Sequence, residues 1–164
     1  MDEFEVALVG LLPRLRRLAR ALARDVADAD DLAQVALERA LARRPQWRPG
    51  TRLDSWVFQI MKNAWIDENR ARSRKSRILA HPEAAERVAD PSVADADTRA
   101  EAWAVQAAIA ELPQDQRLAV ALVLIDGLSY KEAAAVLQVP EGTLTSRLVR
   151  GRTALMQRLQ GEAA

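Results

Sequence analysis

Residues 129–152, SYKEAAAVLQVPEGTLTSRLVRGR, constrain the fold of this chain more than any other stretch. They read as two short helices joined by a tight turn. Ser129 followed by Glu132 is an S-x-x-E capping box, in which the hydroxyl accepts from the Glu132 N–H and the carboxylate reaches back to Ser129. Ala133, Ala134, Val136 and Leu137 follow as the inward residues of the first helix. Pro140 lacks an N–H and cannot continue that helix, but it suits the first turn of the next. In the second helix Leu144, Leu148, Gly151 and Leu155 recur at steps of four, three and four, which sets them on one buried stripe.

Thr143, Thr145, Ser146, Arg147, Val149 and Arg150 remain around the rest of that helix. Hydroxyls and guanidiniums on a helix suit phosphates and base edges. The two-helix spacing is that of a helix-turn-helix, whose second helix enters the major groove of DNA. An ordinary helical hairpin with a solvated Arg face is the alternative at this point.

Composition narrows the function. The 164 residues allow one large or two small domains, and 49% hydrophobic residues permit a real core. With no Cys there is neither a disulfide framework nor a thiolate metal site, and a single His argues against a His-based metal or catalytic cluster. No cofactor is expected, and no enzyme, since nothing assembles a nucleophile, base and oxyanion site. No apolar run approaches the ~20 residues of a membrane span. The start, MDEFEVALVG, has no basic n-region, so a soluble cytoplasmic protein is expected. The formal net charge is only +1, but it is partitioned. Lys62, Arg70, Arg72, Arg74, Lys75 and Arg77 crowd one segment, and Glu83, Glu86, Asp90, Asp95 and Asp97 the next, as expected if only some surfaces face phosphate.

The first helix is expected from about Phe4 to about Arg24. Leu8, Leu11, Leu12, Leu15, Leu18 and Leu22 mark its apolar face, and Arg14, Arg17, Arg20 and Arg24 a solvated one. Pro13 either kinks it or starts a second helix. A second amphipathic helix runs from about Asp30 to about Arg44, with Asp31, Gln34, Glu38 and Arg39 on the polar side of Leu32, Val35 and Ala36. The Pro- and Gly-broken loop RRPQWRPGT follows, with Trp47 either tucked into the core or exposed for stacking. Thr51 with Asp54 resembles a capping box for the next helix. Leu53, Trp56, Val57, Ile60, Met61, Ala64 and Trp65 give that helix the clearest periodicity in the chain. Ser55, Gln59, Lys62, Asn63, Ile66 and Arg70 line its opposite side, which leads into the basic run and suits a DNA surface.

Periodicity is lost from about Ser76 to about Asp97, around His81-Pro82 and Asp90-Pro91, so a flexible linker is placed there. The expected architecture is all-α: a first domain over 1–75, a linker over 76–98 and a helix-turn-helix domain over 99–164. In the last, a helix through Trp103 and Ile109 ends at Leu112-Pro113, a very apolar helix spans about Gln114 to Asp126, and Gly127 closes it.

The two halves together resemble bacterial RNA polymerase sigma factors of the small extracytoplasmic-function (ECF) group. The resemblance rests on DADDLAQVALERAL and LDSWVFQIMKNAWIDENRARSR in the first half, and on AELPQDQRLAVALVLIDGLSYKEAAAVL and VPEGTLTSRLVRGR in the second. It implies that core RNA polymerase and promoter DNA are partners, together with an anti-sigma factor. Asp31, Leu32, Gln34, Glu38 and Arg39 would dock on the polymerase clamp helices. Trp47, Lys62, Asn63, Asp67, Arg70, Arg72 and Arg74 would hold the melted minus-ten element. Thr143, Thr145, Ser146, Arg147, Arg150 and Arg152 would read the minus-thirty-five element, and the linker would thread toward the RNA exit path. A sigma-like mimic that sequesters an anti-sigma protein without binding DNA is the alternative, but such a mimic should lose the basic run and the Arg-bearing helix. Three positions depart from the family pattern: Gln138 where Gly is usual, Leu53 where an aromatic is common, and Gly151 for a frequent Ala. If position 138 needs positive φ, Gln is unfavourable there by roughly 1 kcal/mol. Gly151 suggests close backbone packing.

Overall fold

The computed structural model describes residues 1–79 and 96–163, which are helix, turn and loop. His81 and the central part of the expected linker lie outside the described residues. Helix α1 spans Glu3–Gly10 and opens with a complete capping box between Asp2 and Glu5. Helix α2 spans Leu12–Leu22 with Pro13 in its first turn, where a missing N–H leaves no bond unmade. Pro13 therefore begins a second helix.

Helix α3, Val26–Ala42, starts earlier than the sequence suggests, because Asp25 caps it by accepting from the Asp28 N–H at 2.8 Å. A 3-10 turn at Arg44–Gln46 leads to helix α4, Leu53–Leu79. The expected Thr51–Asp54 box does not form. Thr51 donates its hydroxyl to the Arg48 carbonyl at 2.6 Å, and Asp54 is drawn away to Arg14 and Arg52. Helix α5 spans Ala96–Ala110, so residues 76–79 and 96–98, at the ends of the expected linker, are helical.

Helix α6, Gln114–Val120, passes directly into a π-helical segment, Ala121–Ile125, in place of the single regular helix expected to Asp126. Gly127 ends it at φ +81°. Helices α7, Tyr130–Leu137, and α8, Glu141–Ala163, form the helix-turn-helix.

The α4 stripe is buried as its period requires: Val57, Ile60, Met61, Ala64 and Trp65 pack against α2 and α3, with Leu53 and Trp56 half-buried. The Trp65 indole donates to the Leu22 carbonyl at 3.0 Å. Phe58, beside that stripe, is also fully buried, and the Arg14 guanidinium lies over its ring at 5.0 Å. In the second half Leu144, Leu148 and Leu155 are buried on one side of α8, as their spacing predicts. Gly151 permits a close approach there. A Cβ would sit 2.9 Å from Val120 Cγ2 and 3.3 Å from Gln116 Cβ, so a larger residue would force α6 or its side chains to shift.

The two halves also pack on each other. Helix α2 meets α5 and the π-helical segment, and α4 meets α7. Arg14 reaches from α2 to Asp126 at 2.8 Å, and Arg117 donates to the Leu22 carbonyl at 3.1 Å while lying 5.5 Å from the Trp65 ring centre.

Candidate nucleic-acid interface

The second helix of the helix-turn-helix depends on how α7 ends. Ser129 caps α7 by accepting from the Glu132 N–H at 3.1 Å. The reciprocal half of the capping box is missing, because the Glu132 carboxylate pairs with Arg52 across the two halves. At the other end Gln138 adopts φ +57° and ψ +45°, the only positive φ outside glycine among the described residues. The turn thus does need the left-handed conformation that Gly supplies most cheaply. Pro140 follows, and its carbonyl accepts from the Thr143 and Leu144 N–H groups to start α8.

Ser146, Arg150 and Arg152 are exposed on α8, and Thr143, Thr145 and Arg147 are half-buried. Thr145 donates its hydroxyl to the Glu141 carbonyl at 2.9 Å. Arg147 lies 3.8 Å from Asp115 at the start of α6. Thr143, Ser146, Arg147 and Arg150, with Gln116 and Asp115, border a polar cleft of about 430 Å³ between α6 and α8. Four of the expected minus-thirty-five set, Thr143, Ser146, Arg147 and Arg150, are therefore gathered on one face, and Thr145 and Arg152 lie outside this cleft.

On α3, Asp31, Gln34 and Glu38 are exposed along one side, with Gln34 Nε2 donating to Glu38 at 3.2 Å. Arg39 is half-buried and 3.8 Å from Asp67 of α4. Leu32 belongs to the core at 2% exposure, so it supports this face from beneath and does not line it.

The minus-ten set divides. Asn63, Asp67, Arg70 and Arg74 are exposed. Arg72 bonds Asp28 at 2.9 Å and Glu68 at 3.2 Å, which ties the start of α3 to α4. Trp47 is half-buried, with its ring 5.5 Å from Phe4, so it leans on the core. Lys62, expected on the open side of α4, is only 7% exposed, and no hydrogen bond or ion pair engages it. Burial lowers its pKa.

Lys62 is covered for a geometric reason. Ser55, Gln59, Lys62 and Ile66 recur at steps of four, three and four, and all four are half-buried or buried. Helix α4 meets α7 as well as α2 and α3, so its circumference is not left to solvent beyond its own half's core.

The cluster at the N-terminal end of that stripe escaped the sequence reading. Asp54 accepts from Arg14 at 3.0 Å and from Arg52 at 2.6 Å. Burial pushes its carboxyl up, but Arg52, the Ser55 N–H and Arg14 outweigh this and hold it below the ordinary value. Arg14 in turn bonds Asp126, whose side chain is 1% exposed. These partners are up to 112 residues apart, so no local spacing signals them.

Residues 9–75 match the family profile Sigma-70 region 2, and residues 102–155 match Sigma-70, region 4. The chain is 34% identical to the ECF RNA polymerase sigma factor EcfG of Rhodopseudomonas palustris, over 99% of this chain and 88% of that protein. This chain belongs to the ECF sigma factor family. It is also 39% identical to the ECF sigma factor SigM of Mycobacterium tuberculosis, over 89% of this chain and 71% of SigM. Among solved structures, the sigma factor RpoE of Bartonella quintana, in complex with the anti-sigma factor NepR, superposes with a TM-score of 0.84 at 29% identity, over 98% of both chains. A score that high over both halves means that the halves of this sigma factor sit relative to each other much as they do in RpoE. CnrH, in complex with the cytosolic domain of CnrY, shares the fold at a TM-score of 0.68 and 23% identity.

Proposed function

We propose that this ECF sigma factor binds core RNA polymerase and directs it to specific promoters, acting as a regulator of initiation. The observation that carries the reading is the exposed hydroxyl and guanidinium face of α8, held on a left-handed turn in a chain that also has a region 2 half. Asp31, Gln34 and Glu38 form the docking face for polymerase. Thr143, Thr145, Ser146, Arg147, Arg150 and Arg152 read duplex DNA at the minus-thirty-five element. Asn63, Asp67, Arg70 and Arg74 hold the melted minus-ten strand, with Trp47 beside them. Arg150 and Ser146 have the exposure that base edges and phosphates require. We further place a division between the halves within 76–98. An anti-sigma factor belongs among the partners, as RpoE has one in NepR.

In vitro transcription with core polymerase on a promoter library tests the function: specific transcripts should depend on adding this protein. Arg at both Asp31 and Glu38 should abolish core binding and leave the helical circular dichroism unchanged. Unaltered core affinity would remove α3 from the docking surface.

A further inference from the structure

Helix α1 and the loop that carries Trp47 are joined by contacts that the local needs of neither explain. The backbone hydrogen bonds of the loop link residues three apart: the Gln46 N–H donates to the Arg43 carbonyl, Trp47 to Arg44 and Thr51 to Arg48. Bonds of this kind shape a loop without fixing where it lies on its domain. Two side chains of the loop reach α1. Trp47 sets its ring 5.5 Å from that of Phe4, which is buried and also lies 6.4 Å from the Trp56 ring. Arg44 holds its guanidinium 4.8 Å from the Phe4 ring centre and pairs with Asp2.

Asp2 uses both carboxylate oxygens. Its Oδ1 accepts from the Glu5 N–H at 3.0 Å and caps α1, and its Oδ2 pairs with Arg44. These two donors hold the carboxyl below its ordinary value. The Trp47 indole N–H is buried with no acceptor among the described residues, so packing holds that ring and a hydrogen bond of its own does not. An eight-residue helix, too short to be stable by itself, thus commits its N-cap and a buried aromatic to a loop remote in sequence.

We propose that α1 is the mount of the minus-ten loop: Asp2 and Phe4 are positioning residues that, through Arg44 and Trp47, hold residues 48–51 in place for an unpaired base. The proposal rests on the reading of Trp47 and α4 as the minus-ten surface. Arg48, Pro49, Gly50 and Thr51 are exposed beyond Trp47, and Gly50 turns the chain there at φ +88°. A base that leaves its stack gains most from groups already in place, because ordering them at the moment of binding costs affinity. Phe4, at 6% exposure, offers no stacking face of its own, so its influence on DNA passes through the loop.

Asp2→Asn keeps a side-chain acceptor for the cap and removes the charge that holds Arg44. Phe4→Leu keeps an apolar side chain in the core and removes the ring. Hydrogen exchange of the full chain, followed residue by residue by NMR, reports on the loop directly. The bonded amides of Gln46, Trp47 and Thr51 should exchange several-fold faster in both variants, while those of Val57 to Trp65 keep the wild-type rate. Asp2→Asn, at a pair on the surface, decides the matter if Phe4→Leu disturbs the core. A loop whose exchange is unmoved in Asp2→Asn overturns the mount.

Holoenzyme formed with each variant is then given a promoter that the wild type transcribes, and copies of it altered one base at a time in the minus-ten element. Promoter opening should fall several-fold and discrimination among the copies should narrow, while core affinity and binding to a minus-thirty-five duplex stay at wild-type values. Arg44→Gln should add little in the Asp2→Asn background, since both remove one pair. Discrimination unchanged beside a faster loop overturns the positioning role, because loss of stability alone would leave discrimination where it was. The minus-ten reading is judged separately by Asn63→Ala, which lies on α4 outside the mount. If promoter opening is untouched there, that reading fails, whereas a loop unmoved in Asp2→Asn fails the mount on its own.

Discussion

Helix α4 and helix α8 each pair an apolar stripe with a polar flank, yet the flanks meet different surroundings. Around α8 the stripe of Leu144, Leu148 and Leu155 is buried, and Ser146, Arg150 and Arg152 are open. Along α4 the stripe is buried equally well, but Ser55, Gln59, Lys62 and Ile66 are covered, and only Asn63, Asp67 and Arg70 remain open on that flank. Periodicity reports which side of a helix its own half needs for a core. It carries no information on what another half lays over the remaining side.

The largest expected effect tests whether the two stripes serve one cooperative unit. Leu148 is 1% exposed and Met61 fully buried, so Leu148→Ala and Met61→Ala should each cost ~2–5 kcal/mol. Arg14–Asp126 and Arg117–Leu22 join the halves, so urea unfolding followed by circular dichroism should show one transition for either variant. A variant that lowers only part of the transition would mean that the halves unfold apart and that α7 covers α4 loosely.

Next in size is the contrast between the open residues of the two helices. Arg150→Ala should weaken binding of the full chain to a minus-thirty-five duplex by ~1–3 kcal/mol if the side chain reads a base edge, or flatten the salt dependence if it holds a phosphate. Asn63→Ala should leave that duplex probe alone. Fluorescence anisotropy across a salt series measures both. If Asn63→Ala weakens the duplex probe as much as Arg150→Ala, the two helices do not divide the promoter between them.

A smaller effect isolates the covered side. Lys62→Met keeps the volume and removes a largely covered lysine that no ion pair engages, so the variant should be at least as stable as the wild type near neutral pH. Its pH dependence has a definite sign. The folded-state pKa of Lys62 lies below its ordinary value of 10.5, so between those values the unfolded chain binds more protons, and wild-type stability rises with pH through that window. The advantage of Lys62→Met should therefore shrink as pH approaches 10.5. An advantage that is constant with pH would mean that Lys62 is as well solvated as a surface lysine.

Much of the architecture was legible because it is local. The leucines of α2, the stripes of α4 and α8, Gly127 as a helix stop and Gly151 as a close approach all follow from spacing and from what each residue type permits. What was missed is non-local. Asp54 looked like half of a capping box until Arg14 and Arg52 claimed it, and Arg14 looked solvated until α2 met both Asp54 and Asp126. Leu32 was counted with the docking face because it adjoins Asp31, although its period had already put it inside. The open residues of the candidate site were read well and the covered one was not, since exposure belongs to the whole assembly of helices.

The smallest expected effect concerns the turn that presents α8. Gln138 at φ +57° pays the steric cost of a Cβ in the left-handed region, of order 1 kcal/mol. Replacing it with Gly removes that cost but adds freedom to the unfolded chain, which returns part of the gain. Gln138→Gly should therefore stabilise the protein by only about 0.5 kcal/mol, read as a slightly higher thermal midpoint. The Gln138 side chain is exposed and the backbone already has the conformation that Gly prefers, so α8 should keep its place and duplex affinity should not change. A drop in duplex affinity beside a gain in stability would show that the Gln138 side chain itself faces DNA. The open surface of the second half would then extend from α8 into the turn, making the contrast with the covered flank of α4 sharper still.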